Sequence, residues 1–341
     1  MRRVRSLTRP GAQTRISLLA QVRYDRRTVM IAKRAALRSA CPGEVRTDPE
    51  FRRKLMRVAL GIGCLSLLAA GAAMAQQDRD WDAIPLTIHH VSGGVYYLEG
   101  SGGNIGLSVG DDGIVMVDDQ FAPLTDRILA AIADLDDGEI RFVINTHVHG
   151  DHVGGNENLG RLGITILAND RVRVRMVEEM YADPALPVLT YSDTTTVHLN
   201  DEEVHVFTVP PAHTDGDSFI HFRGSDVLHL GDVFRTNNFP YIDVSRGGTL
   251  RGTLEALGIA IGMAGPDTLI IPGHGGLSTR EDVAEFRDMT LVVAERVEKL
   301  VRDGASFEGV LAAGTTAEYE ERWGDPERFL TGLYTEVGGE L

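Results

Sequence analysis

The stretch THVHGDHVGG at 146–155 places His147, His149, Asp151 and His152 within six residues. In a chain with 11 histidines, an HxHxDH string arises by chance roughly once in a thousand such sequences, so these donors are read together as a site. Imidazole nitrogens and carboxylate oxygens bind zinc, and a catalytic zinc keeps one of its four tetrahedral positions for water. Where a strand end runs into a turn, His147 and His149 point to one side, while Asp151 and His152 face a second position one turn later. Four ligands this close cannot all serve one such ion, which argues for two metals. His213 in PPAHTDGDS, Asp232 in HLGDVF and His274 in IIPGHGG each stand at a strand-to-loop junction, where a scaffold presents reactive groups. Any one of them alone is an ordinary core or surface residue; beside HxHxDH they complete the ligand count. The only cysteines are Cys41 and Cys64, so residues 76–341 have neither a disulfide nor a thiolate ligand to offer.

Alternating apolar runs and turn signals predict the elements that position these groups. Runs at 84–91, 95–99, 104–109 and 113–118, separated by Gly-rich or Asp-Gly turns, read as four sequential strands joined by hairpins. A helix over 125–135 follows from the spacing of Ile128, Leu129, Ile132 and Leu135, and the strand at 141–145 runs into the histidine cluster. The second half repeats this grammar. It has a strand at 164–168, a helix at 170–180, strands at 203–209, 218–223 and 226–232, a helix at 249–263 and a strand at 269–271. Two helices, 278–303 and 316–334, close the chain. Strands grouped with strands and followed by helices, twice over, predict two sheets packed face to face with helices outside.

The 341 residues are 43% hydrophobic and 24% charged, enough to bury a large core. The net charge of −15 is unevenly spread: 16 Lys or Arg against 4 Asp or Glu put residues 1–75 at +12, which leaves the remainder at −27. A body this acidic repels a polyanion, so nucleic acid is excluded as a first reading and a small-molecule substrate is expected. Arg52, Arg53, Lys54 and Arg57, an apolar run over 58–68 and the ending Ala73-Met74-Ala75 form the three parts of a secretory signal peptide. The expected division is a basic leader over 1–55 with translation starting at Met56 or Met30, a signal peptide over 56–75, and one domain over 76–341. Secreted or periplasmic protein without a stable membrane anchor is the result, because the run falls short of the roughly 20 apolar residues a span needs. An organellar transit segment is the other reading of the Arg-rich stretch. The composition sets no oligomeric state.

The series HVHGDH, His213, Gly231-Asp232 and Gly273-His274-Gly275 resembles the metallo-beta-lactamase fold of binuclear zinc hydrolases, over roughly residues 88–302. That resemblance implies an α/β protein, an αββα four-layer sandwich of two mixed sheets with helices outside and the metals at one edge. It implies two Zn2+ ions: His147, His149 and His213 on the first, Asp151, His152 and His274 on the second, and Asp232 bridging or leaning to the second. Asp118 matches an early strand-end Asp that supports the ligands from behind; read from the residues, it is equally a turn carboxylate beside Asp119. The chain departs from the best-known zinc beta-lactamases, many of which have Asn or Gly in place of His152 and Cys in place of Asp232. Its pattern is the one shared by hydrolases of thioesters, lactones, sulfate esters and phosphodiesters. Arg235 stands three residues after Asp232, where the cysteine-containing enzymes place a Lys that grips the lactam carboxylate, and a guanidinium can do the same; otherwise it is a solvated loop residue. The remaining histidines (89, 90, 198, 205, 221 and 229) read as ordinary strand residues, and Arg171, Arg173 and Arg175 as a solvated helix face.

The implied function is a secreted zinc hydrolase in which a metal-bound hydroxide cleaves an amide or ester bond, a beta-lactam or lactone being favoured. Asp151 orients the nucleophile and carries a proton. The alternatives are an iron-dependent sulfur dioxygenase or a thioesterase of the same fold, and a binding protein that has lost activity.

Overall fold

The computed structural model describes residues 79–338, so the leader and signal-peptide readings of 1–75 fall outside the described residues. Seven strands lie side by side in chain order: β1 (Thr87–Ser92), β2 (Val95–Glu99), β3 (Ile105–Gly110), β4 (Gly113–Val117), β5 (Ile140–Asn145), β6 (Thr165–Asn169) and β7 (Leu189–Tyr191). Pairing is antiparallel from β1 to β4 and parallel from β4 to β7. The second sheet holds β8 (Thr194–Leu199), β9 (Glu202–Thr208), β10 (Ser218–Phe222), β11 (Val227–His229) and β12 (Leu269–Ile271) in the order β12-β11-β10-β9-β8. Only β11 and β12 run parallel there.

The near-continuous apolar strands follow from cover on both faces. Along β4 the side chains alternate. Val115 and Val117 meet Ile220 and Phe222 of the second sheet between the layers. Ile114 and Met116 point the other way, onto Ile128 and Ile132 of helix α1 (Thr125–Leu135). Two short helices, α2 (Gly150–Val153) and α3 (Asn156–Arg161), follow β5, and α4 (Asp170–Glu178) follows β6. The outer face of the second sheet, with Phe219, Leu228 and Ile270, is covered by α5 (Leu250–Met263) and α6 (Arg280–Arg302) through Leu257, Ala260, Phe286 and Val293. Each such side chain contributes roughly 1.5–3 kcal/mol by leaving water. The layers are thus helix, sheet, sheet, helix, and both sheets are mixed, as expected. Helix α6 starts at a capping box in which Thr279 and Asp282 satisfy each other's backbone N–H groups.

The C-terminal reading is corrected. Instead of one helix over 316–334 there are α7 (Phe307–Ala312), α8 (Glu320–Trp323) and α9 (Glu327–Glu336). Gly324 takes φ 72° after α8, and Pro326 pushes the residue before it out of the helical region, so the periodic pattern is cut there. Strands β7 and β8 were also not anticipated: LTY and TTTVHL lack a clean alternation, and β8 is a largely solvated edge. Among the described residues no helix is long and apolar enough to cross a membrane.

All the strands that lead to candidate ligands end at one edge. β4 and β5 are parallel, and β9, β11 and β12 share a direction because β10 reverses between β9 and β11. The sheets are tied at that edge. Ser218 N–H donates to Thr146 O at 2.9 Å. Asn104 Nδ2 donates to Pro272 O at 2.9 Å and Gly275 O at 2.8 Å, its N–H to Gly273 O at 2.7 Å, and its own carbonyl accepts from His229 Nε2 at 3.0 Å. Asn104→Ala takes the side-chain donor from the buried Pro272 carbonyl and the part-buried Gly275 carbonyl and is expected to cost about 1–3 kcal/mol, read as a lower midpoint in denaturant unfolding. The same variant should loosen the loop that carries His274.

Candidate metal centre

Beyond β5 the chain stays extended through His149, which has φ −67° and ψ 145°, and then enters α2. Val148 and Val153 are buried against Ala168, Val172 and Met176, so the histidines on either side of Val148 are turned the other way. The turn is pinned on both flanks: Gly103 N–H donates to Asp151 O at 3.0 Å and Asp119 N–H to His152 O at 2.9 Å. His213 sits in the turn after β9. Buried Asp217 closes that turn by accepting Thr214 N–H at 2.8 Å and Thr214 Oγ1–H at 2.6 Å. Asp232 follows β11 and His274 follows β12.

The structure brings all seven predicted ligands together. Three groups have ligand atoms within 4.8 Å of one another: His147, His149 and His213; His147, His152 and Asp232; and Asp151, His152 and His274. The middle group shares a member with each of the others. His213 Nε2 faces His149 Nδ1 at 2.7 Å. Asp232 Oδ1 lies 3.1 Å from His152 Nε2 and 3.2 Å from His274 Nε2, while Asp232 Oδ2 lies 3.7 Å from His213 Nε2. Asp232 therefore reaches toward both outer groups. Asp151 Oδ2 lies 3.3 Å from His274 Nε2 and 3.8 Å from His152 Nε2.

The far side of each ring decides which nitrogen is bare. His152 Nδ1–H faces Asp118 Oδ2 at 2.7 Å, His213 Nδ1–H faces Tyr241 O at 2.5 Å, and His149 Nε2–H faces Asp243 Oδ2 at 2.9 Å. Thr146 Oγ1 gives its hydrogen to Asp118 Oδ2 at 2.7 Å, which leaves it to accept from His147 Nδ1–H at 2.9 Å. These tautomers, assigned from the hydrogen-bond network, turn the other nitrogen of each of the four rings inward, a lone pair whenever the ring is neutral. His147 Nε2, His152 Nε2, His274 Nε2 and Asp232 Oδ1 are buried with no hydrogen-bond partner. Such atoms are costly unless a cation satisfies them, so the donor set fits metal ions. Two glycines make room for the ligands. A Cβ on Gly103 would come within 2.1 Å of His152 Cε1, and one on Gly273 within 2.1 Å of Asp232 Oδ1.

Asp118 lies where a supporting residue should, and its turn-carboxylate reading is set aside. It takes φ 62° and accepts from Thr146 N–H at 2.8 Å as well as from Thr146 Oγ1 and His152. Asp243, Tyr241 and Thr146 were not anticipated. In the sequence Asp243 reads only as a turn residue, and it does accept Arg246 N–H in that role; its second task, holding His149, depends on a partner 94 positions away. Arg246 Nη1 also donates to Asp243 Oδ2 at 2.9 Å.

Arg235 is not a solvated loop residue. Its side chain is 12% exposed, and Nη2 donates to Asp232 Oδ2 at 2.5 Å. His229 is buried and ties the sheets together through Asn104, and belongs to none of the ligand groups. The solvated-face reading of α4 holds for Arg171 only, because Arg173 donates to Pro187 O at 2.7 Å and Arg175 pairs with Asp215 at 2.8 Å.

Burial and three imidazole neighbours keep His147 well below the usual histidine range, and burial with the nearby His149 takes His213 down to about 3. Both are neutral at physiological pH, the form that binds metal. For Asp232, burial alone would raise the carboxyl, but Arg235, His274 and His152 outweigh it and hold it ionised. His152 and His274 are pushed the other way. Burial would lower them, yet Asp232, with Asp118 and Asp151 on His152 and Asp151 on His274, raises both.

The fold and this edge of histidines and carboxylates define a sandwich built around a metal centre. Residues 98–274 match the family model of the metallo-beta-lactamase superfamily, and the chain belongs to that superfamily. A stretch of 93 residues is 36% identical to the hydroxyacylglutathione hydrolase of Gloeobacter violaceus, covering 27% of this chain and a third of that protein's length. Two solved structures share the fold. One is a metallo-beta-lactamase from Pontibacter korlensis, with TM-score 0.53 and 16% identity over 61% of this chain and 99% of the other. The other is the DIM-1 metallo-beta-lactamase, with TM-score 0.53 and 18% identity over 61% and 98%.

In the metal-free protein Asp232 and Asp151 favour the protonated forms of His152 and His274, so a metal ion competes with protons at those two nitrogens. Adding zinc to chelator-stripped protein at neutral pH in weak buffer should therefore release protons, and zinc affinity should fall as pH is lowered. Zinc uptake with no proton release and no pH dependence would contradict this assignment of charges.

Proposed function

We propose that the chain is a two-metal hydrolase that cleaves an ester-type bond, a thioester or lactone, in a small acyl compound. The observation that carries this reading is the meeting of two three-ligand groups through His147, His152 and Asp232, with lone pairs turned inward. Zinc is the ion best suited to imidazole and carboxylate donors without thiolate. Two bound ions would supply Lewis acidity at the carbonyl oxygen and water of lowered pKa.

The chain's own groups set the approach and the proton path. His147, His152, His213 and Asp232 are buried, whereas the side chains of His149, His274 and Asp151 are 13%, 18% and 30% exposed. A substrate therefore reaches the centre from the side of Asp151 and His274. Burial would raise the Asp151 carboxyl, but His152 and His274 hold it below the usual carboxylate range. It stands ionised at the open rim, able to orient a water, accept its proton and pass that proton to the leaving group.

Thioester hydrolysis is supported by the partial identity with a hydroxyacylglutathione hydrolase and by His152 and Asp232 standing in the ligand set. A beta-lactam is the second reading, and the position of Arg235 three residues beyond Asp232 favours it. That guanidinium already donates to Asp232, which places the beta-lactam reading behind the thioester. Export to the periplasm or beyond is proposed on the residues of 52–75 alone.

Metal analysis with a hydrolysis screen over thioesters, lactones, beta-lactams and phosphodiesters tests this function. Two zinc ions per chain and chelator-sensitive cleavage restored by zinc are expected. One metal per chain, or iron in excess after growth in balanced medium, would move the chain to the dioxygenase reading. Asp151→Asn should lose far more activity than zinc, since an amide can still coordinate weakly but accepts no proton. Equal proportional losses would reduce Asp151 to a ligand.

A further inference from the structure

We propose that Arg328 forms an anion site beside the metal centre, so that the substrate carries a carboxylate away from the bond that is cleaved. This rests on the hydrolase reading above and names its substrate class. Arg328 lies on α9, outside the stretch of 98–274 that matches the superfamily model. Its guanidinium carbon sits 3.4 Å above the centre of the Tyr241 ring. Tyr241 in turn is built into the metal centre: its ring stacks on that of His149 with centroids 5.7 Å apart, and its carbonyl accepts from His213. The stack therefore holds a cation next to the His147, His149 and His213 group.

A guanidinium stacked by its face keeps its edge N–H groups free, in the fork that matches a carboxylate. Among the described residues Arg328 has no carboxylate within ion-pair distance, unlike Arg235, which pairs with Asp232. Arg235, Tyr241, Asp325 and Arg328 line one cleft of about 210 Å³. Asp325 lines the cleft without an ion pair to Arg328, and its Oδ1 accepts Glu327 N–H at 2.9 Å at the start of α9. In a body with a net charge of −27 over residues 76–341, an exposed cation stacked on Tyr241, without an ion-pair partner and opening on this cleft, selects an anionic group. A neutral acyl compound gains nothing from it. A cleft of this volume holds a short carboxylate-bearing arm.

The test compares Arg328→Gln and Arg328→Lys with the unaltered zinc-loaded protein. The substrates are thioesters in matched pairs: succinyl against butyryl on the acyl side, and mercaptopropionate against N-acetylcysteamine on the thiol side. Removing a charge-assisted contact is worth roughly tenfold or more. In Arg328→Gln the ratio of KM for the charged to the neutral member should therefore rise about tenfold in at least one pair, with kcat little involved, and Arg328→Lys should recover part of it. Loosening of Tyr241 alone would raise both KM values together and leave the ratio unchanged, which would overturn the proposal. If the unaltered protein cleaves no thioester, the thioester reading fails, and calorimetric titration with succinate still decides the anion site. Any direct contact of succinate with zinc is common to both proteins and cancels in their comparison. An affinity about tenfold weaker for Arg328→Gln supports the site, and equal affinities overturn it.

Discussion

Buried lone pairs that face one another are the constraint on which the rest of this structure depends. His213 Nε2 and His149 Nδ1 stand 2.7 Å apart, and four further ligand atoms have no hydrogen-bond partner although they are out of contact with water. With neither a proton nor a metal ion between them, such groups repel and remain desolvated, each costing more than an ordinary hydrogen bond returns. The surrounding fold must hold them in place by other means until a cation pulls them together. Two layers of strands, each apolar on both faces, supply that rigidity. A helix bundle carrying seven ligands on separate loops would have to fix each loop independently, whereas here five strand ends share one edge.

The same constraint explains why the supporting shell is so polar. Four of the five inward nitrogens are selected by what their rings do on the far side, and the partners are of different kinds: a carboxylate for His149 and His152, a backbone carbonyl for His213, a hydroxyl for His147. A carboxylate behind the ring makes the imidazole a stronger donor than a carbonyl or hydroxyl does. The centre is therefore graded, with the stronger donors His149 and His152 falling one in each of the two three-ligand groups around the shared residues.

Much of this was legible in the sequence, for definite reasons. HxHxDH is contiguous, so its geometry follows from a strand end and one turn, and the apolar strands announce a sandwich because each must be covered twice. His213, Asp232 and His274 became readable only beside that cluster, as each alone is an ordinary residue after a strand. Asp243, Tyr241 and Thr146 escaped because their tasks are defined by partners in space: Asp243 looks like a turn former and is one. Arg328 escaped for a related reason. It lies on a helix whose start is set by Pro326, within a stretch that periodicity alone runs together as one helix, and its stack on Tyr241 exists only once α9 folds back against α6. Arg235 was read from its spacing to Asp232, which is right, but spacing cannot say whether a guanidinium points to substrate or to the ligand three residues away.

Asp118 shows how far one carboxylate can reach. A non-glycine residue at φ 62° carries a backbone cost of about 1–3 kcal/mol, which persists only if its surroundings over-determine it. They do: Asp118 N–H donates to Ile144 O at 2.9 Å, and its two oxygens take the N–H and hydroxyl of Thr146 and the ring of His152. Through Thr146 it sets His147, and directly it sets His152. Those are the two histidines common to the middle ligand group and its neighbours, so a single strained residue behind β4 orients one ligand on each side. The two outer ligand groups are thereby linked through protein as well as through Asp232. A shift of Asp118 cannot disturb one ligand group without the other, so the histidines on both sides of the middle group move as a unit.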